Sequence, residues 1–283
     1  MTKILITGSN GQLGTELSKL LENKRNLNDE IIKTDSKDLD ITNRDLVLKL
    51  INEMHPEVIY HCAAYTAVDL AEDEGKTTNW SVNVDGTKNV ALAAEKVGAT
   101  LIYISTDYVF EGSNSKPRKV DDLVNPKNEY GRAKLAGEKA VQEICSKYYI
   151  IRTSWVFGKY GKNFVFTMQN LAKKHDTLTV VNDQIGRPTW TKSLAEFMLF
   201  IVKQRADYGI YHFSNEGICS WHEFASEILR DSEVIVKPIS SSEFSQKAKR
   251  PSYSILDLDK TKKLGFDIIP WKEALAEMMQ ELD

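Results

Sequence analysis

A parallel, doubly wound α/β sheet followed by a smaller mixed lobe is the fold that this 283-residue sequence predicts. Three observations carry it. Short apolar runs rich in β-branched residues alternate with stretches of helical periodicity through the first half of the chain, the pattern of successive βαβ units. Three glycines, Gly8, Gly11 and Gly14, fall between the first such run and the first helix. After about residue 155 the alternation gives way to Gly- and Pro-containing loops and the Ser-rich stretch "PISSSEFSQ" at 238–246.

Each element follows from its local pattern. "KILIT" (3–7) is a first strand, and "GQLGTELSKLLE" carries apolar residues at 13, 17, 20 and 21, the spacing of one helical face. "EIIKTD" (30–35) is a second strand and "NRDLVLKLINEM" (43–54) a second helix, with Asn43 or Thr42 as its N-cap. "EVIYHCAA" (57–64) is a third strand, and 78–98 reads as one long helix closed by Gly98. "TLIYISTD" (100–107), the helix "EYGRAKLAGEKAVQEI" (129–144) and "YYIIRTSW" (148–155) complete the regular part. Beyond it, 163–175 is helical, 177–183 extended, and a further helix lies near 220–231. Such alternation requires crossover helices and hence a parallel sheet.

Composition narrows the function. With 42% hydrophobic and 27% charged residues and a net charge of −3, the chain is an ordinary globular protein. It has no basic footprint for nucleic acid and no polybasic membrane patch. The apolar stretch "LAEFMLFIV" (194–202) is interrupted by Glu196 and is too short to cross a bilayer. Cys62, Cys145 and Cys219 form no C-x-x-C pair, which argues against zinc or a disulfide framework and fits a reducing, cytoplasmic setting. The five histidines fall at no metal-ligand spacing, and His61 at the end of a buried strand reads as packed or hydrogen-bonded. The acids of "LAEDEG" (70–75) read as the solvated start of a helix, so no metal is expected.

The glycine turn "ITGSNGQLG" has the context of a phosphate cradle. A tight strand-to-helix turn brings backbone close to a pyrophosphate, and the free amides at the helix start supply the anion site. Asp35, at the end of the second strand and about 20 residues beyond the glycines, is placed for an adenine ribose. Asp38 and Asp40 compete for that role, and Lys33 and Lys37 weaken the preference for NAD that an acid there implies. "YGRAK" puts Tyr130 and Lys134 four apart, on one helical face. Tyrosine ionises near pH ~10, and a neighbouring ammonium lowers that value enough for acid–base work. Ser105 and Thr106, at a strand's carboxyl end, can hydrogen-bond the same carbonyl oxygen.

These motifs resemble the extended short-chain dehydrogenase/reductase superfamily: "TGSNGQLG", "CAAYTAVD", "NVDGTKN", "STDYVF" and "YGRAKLAGE". Three more, "IRTSWVFG", "DQIGRPTW" and "KRPSYSILD", resemble the dTDP-4-dehydrorhamnose reductase family along nearly the whole chain. The resemblance implies a Rossmann-type NAD(P)-binding domain over 1–155 and a substrate-binding lobe over 156–283. Segments such as 163–183 and part of the C-terminal region are expected to return to the main sheet. It implies NADPH or NADH as cofactor, a dTDP-sugar as substrate, reduction of the C4 ketone of dTDP-4-dehydro-L-rhamnose, and a monomer or homodimer with no nucleic-acid or membrane partner. In the implied mechanism Tyr130 is the acid, Lys134 holds its pKa and the nicotinamide ribose, and Thr106 orients the sugar oxygen. Asp107, Trp155 and Arg250 face the substrate. The cofactor rests on Gly8, Asn10, Gly11, Gln12, Leu13, Asp35, Asp40, Ile41, Ala63, Ala64 and Thr66, together with Tyr130 and Lys134.

Neighbouring chemistries set the limits of that reading. Sugar-nucleotide dehydratases carry Thr-Asp-Glu at the strand end, where this chain has Thr106-Asp107-Tyr108. Epimerases share the Tyr–Lys pair, and the methionine adenosyltransferase regulatory subunit resembles the family without its activity. Arg250, beside Pro251, is either a turn residue or a diphosphate contact, and Arg187 in "IGRPT" has the same two fates.

Overall fold

The computed structural model describes residues 2–24, 29–113 and 115–282. Its strands are β1 (Lys3–Thr7), β2 (Glu30–Thr34), β3 (Val58–His61), β4 (Thr100–Thr106), β5 (Tyr148–Thr153), β6 (Val156–Phe157), β7 (Thr177–Val181), β8 (Ile185–Gly186), β9 (Thr189–Trp190), β10 (Gly209–His212), β11 (Cys219–Ser220) and β12 (Ile235–Ile239). Its α-helices are α1 (Gln12–Lys24), α2 (Arg44–Met54), α3 (Lys76–Trp80), α4 (Thr87–Val97), α5 (Glu129–Ile144), α6 (Phe164–Ala172), α7 (Thr191–Lys203), α8 (Trp221–Ile228), α9 (Asp259–Lys262) and α10 (Trp271–Gln280).

Six strands form one parallel sheet in the order β10-β5-β4-β3-β1-β2. Alternation along each strand feeds two cores. Ile4, Ile6, Tyr60, Ile102 and Ile151 pack beneath Leu13 and Leu17 of α1 and Leu194 and Phe197 of α7. Leu5, Ile59, Leu101 and Ile150 point the other way, against Val47 of α2, Val90 of α4 and Val141 of α5. The chain leaves β1 for β2 on one side and returns to β3 on the other, so the strand order reverses at β1. A crevice opens there at the strands' carboxyl ends.

A third core, built on Phe157, Met168, Trp190, Phe224 and Trp271, belongs to the smaller lobe. Segment 163–183 stays in this lobe: β7 pairs in parallel with β12 rather than with the main sheet. The segment that does return is Gly209–His212, which takes the edge beside β5. Neither β10 nor β12 is expected from the sequence. The first is four residues long, and the second contains Pro238, a residue that suits an edge strand.

The expected helix over 78–98 is interrupted. Between α3 and α4 the backbone widens into a π turn at Ser81–Gly86. Within it, buried Asn83 donates to the Tyr65 carbonyl at 2.9 Å and accepts from the Tyr65 amide at 3.2 Å. A side chain that must satisfy both polar groups of a neighbouring loop competes with regular helical geometry.

Helix α5 is tied to the sheet by a buried ion pair. Glu138 and Arg152 have side chains only 1% and 3% exposed, and they meet through two bonds of 2.8 Å. The Ser105 hydroxyl donates to the same carboxylate at 2.5 Å, and Arg152 also donates to the Val120 carbonyl. Removing one partner of such a pair strands the other charge out of reach of water. Glu138→Gln is therefore expected to cost about 3–5 kcal/mol, read as a lower urea midpoint at unchanged slope. A loss below about 1 kcal/mol would show that the pair does not anchor the helix.

Candidate active site

The crevice at the strand ends is a cavity of about 490 Å³. One wall is the glycine turn. Gly8 has φ +67°, and a Cβ there would come within 2.6 Å of the Ala63 amide nitrogen. A Cβ on Gly14 would meet the Gly8 carbonyl, whereas one on Gly11 finds only that carbonyl, at 3.3 Å. The outer glycines thus allow β1, the turn and the loop after β3 to touch, and Gly11 leaves room over the start of α1. The first amides of α1 have no partner within the helix. These donors and the space over Gly11 fit the pyrophosphate of a dinucleotide.

Of the expected cofactor residues, Gly11, Gln12, Leu13, Ala63, Ala64 and Thr66 line the cavity together with Tyr130 and Lys134. Gly8, Asn10, Asp35, Asp40 and Ile41 do not. Gly8 is occupied in packing on Ala63. The Asn10 amide donates to the exposed Asp35 carboxylate, joining the glycine turn to the end of β2. Asp40 takes the amide and hydroxyl of Thr42, and the Ile41 side chain is buried against Gly86.

The opposite wall holds the chemistry. Asn128 caps α5 by accepting from the Gly131 amide at 2.7 Å, and Gly131 and Gly137 let the helix press onto Tyr108 and Tyr103. Tyr130 and Lys134 consequently project into the cavity near Thr106 and Asp107 at the end of β4. Lys134 is fully enclosed, with its ammonium 4.1 Å from the centre of the Tyr103 ring. Burial pulls its pKa down to about 7, against the opposing charges of Glu138 and Cys62.

Tyr130 departs from expectation. Burial and the neighbouring Asp107 carboxyl push its hydroxyl above the ordinary tyrosine value, and a hydrogen bond with Thr106 opposes them. The lowering by Lys134 expected from the four-residue spacing is absent, because in this arrangement the ammonium is engaged with Tyr103 and Glu138. Tyr130 is accordingly a protonated phenol rather than a standing phenolate.

Asp107 is buried, with Oδ1 accepting from Thr106 at 3.0 Å and Oδ2 unpartnered. Burial raises its pKa to about 7. His61 is inert: Thr7 and Thr87 hydroxyls hold its two ring nitrogens, and burial lowers its pKa to about 3.

On the small-lobe side stands Trp155, at φ 48°, a left-handed conformation that a tryptophan adopts only under constraint. Its indole stacks on Trp221 at 3.6 Å and 10°, and a Cβ at Gly186 would strike it. Trp221, Phe164, Lys162 and Ser154 line the cavity without having been singled out in the sequence. Trp221 opens α8 after the Ser220 capping box, a position that reads equally well as core. Arg250 reaches the cavity and pairs with Asp69 at 2.6 Å. Arg187 is structural, donating to the Leu256 carbonyl at 3.0 Å. The acids of 70–75 are not simply solvated: Glu72 accepts from the Glu129 amide at 2.8 Å, and Asp73 pairs with Lys247. Among the described residues no helix is long and apolar enough to cross a membrane, and no acid, histidine or cysteine cluster could hold a metal ion.

The model of the RmlD substrate binding domain family matches residues 1–283. A dTDP-4-dehydrorhamnose reductase of Aggregatibacter actinomycetemcomitans is 41% identical, over 97% of each chain. Among solved structures, a dTDP-4-dehydrorhamnose reductase from Clostridium acetobutylicum superposes with a TM-score of 0.95 at 47% identity, covering 99% of both chains. One from Bacillus anthracis, solved in complex with NADP, gives 0.93 at 42% identity, covering 99% of this chain and 100% of the other.

The raised Asp107 pKa has a consequence for stability. The unfolded carboxyl ionises near 3.8 and the folded one near 7, so the folded state holds the extra proton between those values. Its contribution is fully favourable below the unfolded pKa and is lost as pH rises through about 7. Asp107→Asn should therefore raise the melting temperature relative to wild type at about pH 8 and leave it nearly unchanged near pH 4. A gain that is equal at both pH values contradicts the assignment.

Proposed function

Because the chain belongs to the RmlD substrate binding domain family, we propose that it is an NAD(P)H-dependent reductase of the C4 ketone of dTDP-4-dehydro-L-rhamnose, forming dTDP-L-rhamnose. The observation that carries this reading is the enclosure of Tyr130, Lys134 and Thr106 in one cavity between a dinucleotide cradle and the Trp155–Trp221 wall.

When bound, the reduced nicotinamide supplies the hydride. The amides around Gly11, Gln12 and Leu13 hold the pyrophosphate, with Gly8 shaping the turn beneath them. Ala63, Ala64 and Thr66 flank the dinucleotide. Asp35, steadied by Asn10, faces the adenosine ribose, with Asp40 and Ile41 beyond it. Lys134 takes the nicotinamide ribose.

The substrate's C4 oxygen sits against Thr106 and Tyr130. Thr106 orients that oxygen by turning its hydroxyl proton from Asp107 toward the sugar. Tyr130 gives its proton as negative charge develops on that oxygen. Lys134, one turn further along the same helix and lining the same cavity, compensates in its charged form the charge left on Tyr130. Asp107, whose carboxyl pKa is raised to about 7, offers its unpartnered oxygen to a sugar hydroxyl. Trp155 bounds the sugar, and Arg250 faces the diphosphate. Tyr108, where dehydratases have a glutamate, leaves elimination without a second proton carrier. The unpaired cysteines accord with a cytoplasmic enzyme, acting as a monomer or homodimer on a small-molecule substrate.

Tyr130→Phe removes the proton donor without altering the cradle. It should lower kcat by about 10²–10⁴-fold, followed as NADPH oxidation with the dTDP-4-dehydro sugar, and leave NADPH affinity intact. Turnover at the wild-type rate would refute the assignment of Tyr130 as the acid.

A further inference from the structure

Asp69 has no place in the scheme above, yet its carboxylate accepts three bonds from one distant segment of the chain. It follows Val68, a cavity-lining residue, in the loop after β3. Its Oδ1 accepts from the backbone amides of Lys247 at 3.2 Å and Ala248 at 3.0 Å. Its Oδ2 accepts from the Arg250 guanidinium at 2.6 Å. One carboxylate thus gathers a strap of chain, 247–250, from about 180 positions away in sequence.

A half-exposed ion pair alone contributes little, but this one is not alone. The Asn128 amide donates to the Lys249 carbonyl at 2.9 Å while its oxygen caps α5. The strap is therefore bonded at once to the loop after β3 and to the helix that carries Tyr130. Lys247 adds an ion pair with Asp73. Arg250 is tethered through one terminal nitrogen to Asp69 at the cavity mouth. Its Nε is buried without a partner in a cavity-lining side chain.

We propose that Asp69 is a positioning residue for nucleotide-sugar binding. It pins the 247–250 strap against the loop after β3 and aims Arg250 at the cavity, so that the remaining guanidinium donors meet an anionic diphosphate without first being ordered. This rests on the reading of Arg250 as the diphosphate contact. Ordering a long, rotamer-rich side chain before the ligand arrives lowers the entropic cost of binding. The effect is expected on the substrate side, because the strap carries Arg250 whereas the dinucleotide is assigned to the glycine turn.

The test is calorimetric titration of the full chain with dTDP and, separately, with NADPH. Asp69→Ala should weaken dTDP binding by about tenfold and leave NADPH binding within about twofold. Asp69→Asn keeps an acceptor for the two backbone amides and loses only the charge, so its dTDP loss should be smaller, about threefold. In turnover the Asp69→Ala loss should appear in KM for the sugar nucleotide and not in kcat. In an Arg250→Ala background the same change should have almost no further effect on dTDP affinity, since Asp69 acts through Arg250. Unchanged or tighter dTDP binding, an equal loss in the Arg250→Ala background, or a matching loss for NADPH overturns the inference. If Arg250→Ala weakens dTDP binding and Asp69→Ala does not, the inference alone fails. If Arg250→Ala leaves dTDP binding unchanged, the diphosphate assignment fails with it.

Discussion

A carboxylate that water does not reach, Glu138, determines where the chemistry of this fold is placed. Held by both arms of Arg152 and by Ser105, it fixes α5 against β4 and β5. One turn before it on the same helix, Lys134 lies enclosed over the Tyr103 ring, and one turn before that Tyr130 reaches the strand ends. The helix can come so close only because Gly131 and Gly137 present no side chain to Tyr108, Tyr103 and Asn83. The lysine, drawn toward neutrality by burial, and the phenol, held in its protonated form, are products of the same enclosure. The buried ion pair is therefore weak evidence for net stability and strong evidence for placement.

The rest of the cavity is assembled from the two ends of the chain. The glycine turn and the loop after β3 meet where the strand order reverses, which is where a parallel sheet leaves its crevice. The smaller lobe closes the other side with a stacked indole pair, a strained Trp155 and the strap ending at Arg250. Strand β10 and helix α7 return from this half to the main sheet, so the lobe is anchored to the sheet's edge and to α1 rather than joined through a single linker.

Much of this was legible in the sequence where a rule of period or chirality operates locally. The alternation of strands and helices, the glycine turn and the extent of α5 all follow from such rules, and Tyr130, Lys134 and Thr106 come together as their spacing implies. What stayed hidden depends on partners far away in sequence. The π turn exists because Asn83 must satisfy Tyr65, and β12 pairs despite its proline because β7 offers it an edge. Trp221 lines the cavity at the start of α8, where its ring packs on Trp155 and Phe164, partners distant in sequence. The direction of the Tyr130 shift is set by burial and Asp107, neither of which the spacing along one helix reveals.

On the function proposed above, this cavity reduces a sugar ketone rather than rearranging the sugar or only holding a nucleotide. Incubating the purified chain with stoichiometric 4-deuterated NADPH of the transferring face and dTDP-4-dehydro-L-rhamnose, then locating the label in the product, tests it most directly. One deuterium at C4 of dTDP-L-rhamnose is expected for each NADPH oxidised. Product without deuterium, label at another carbon, or an intact cofactor beside an unchanged sugar would contradict it.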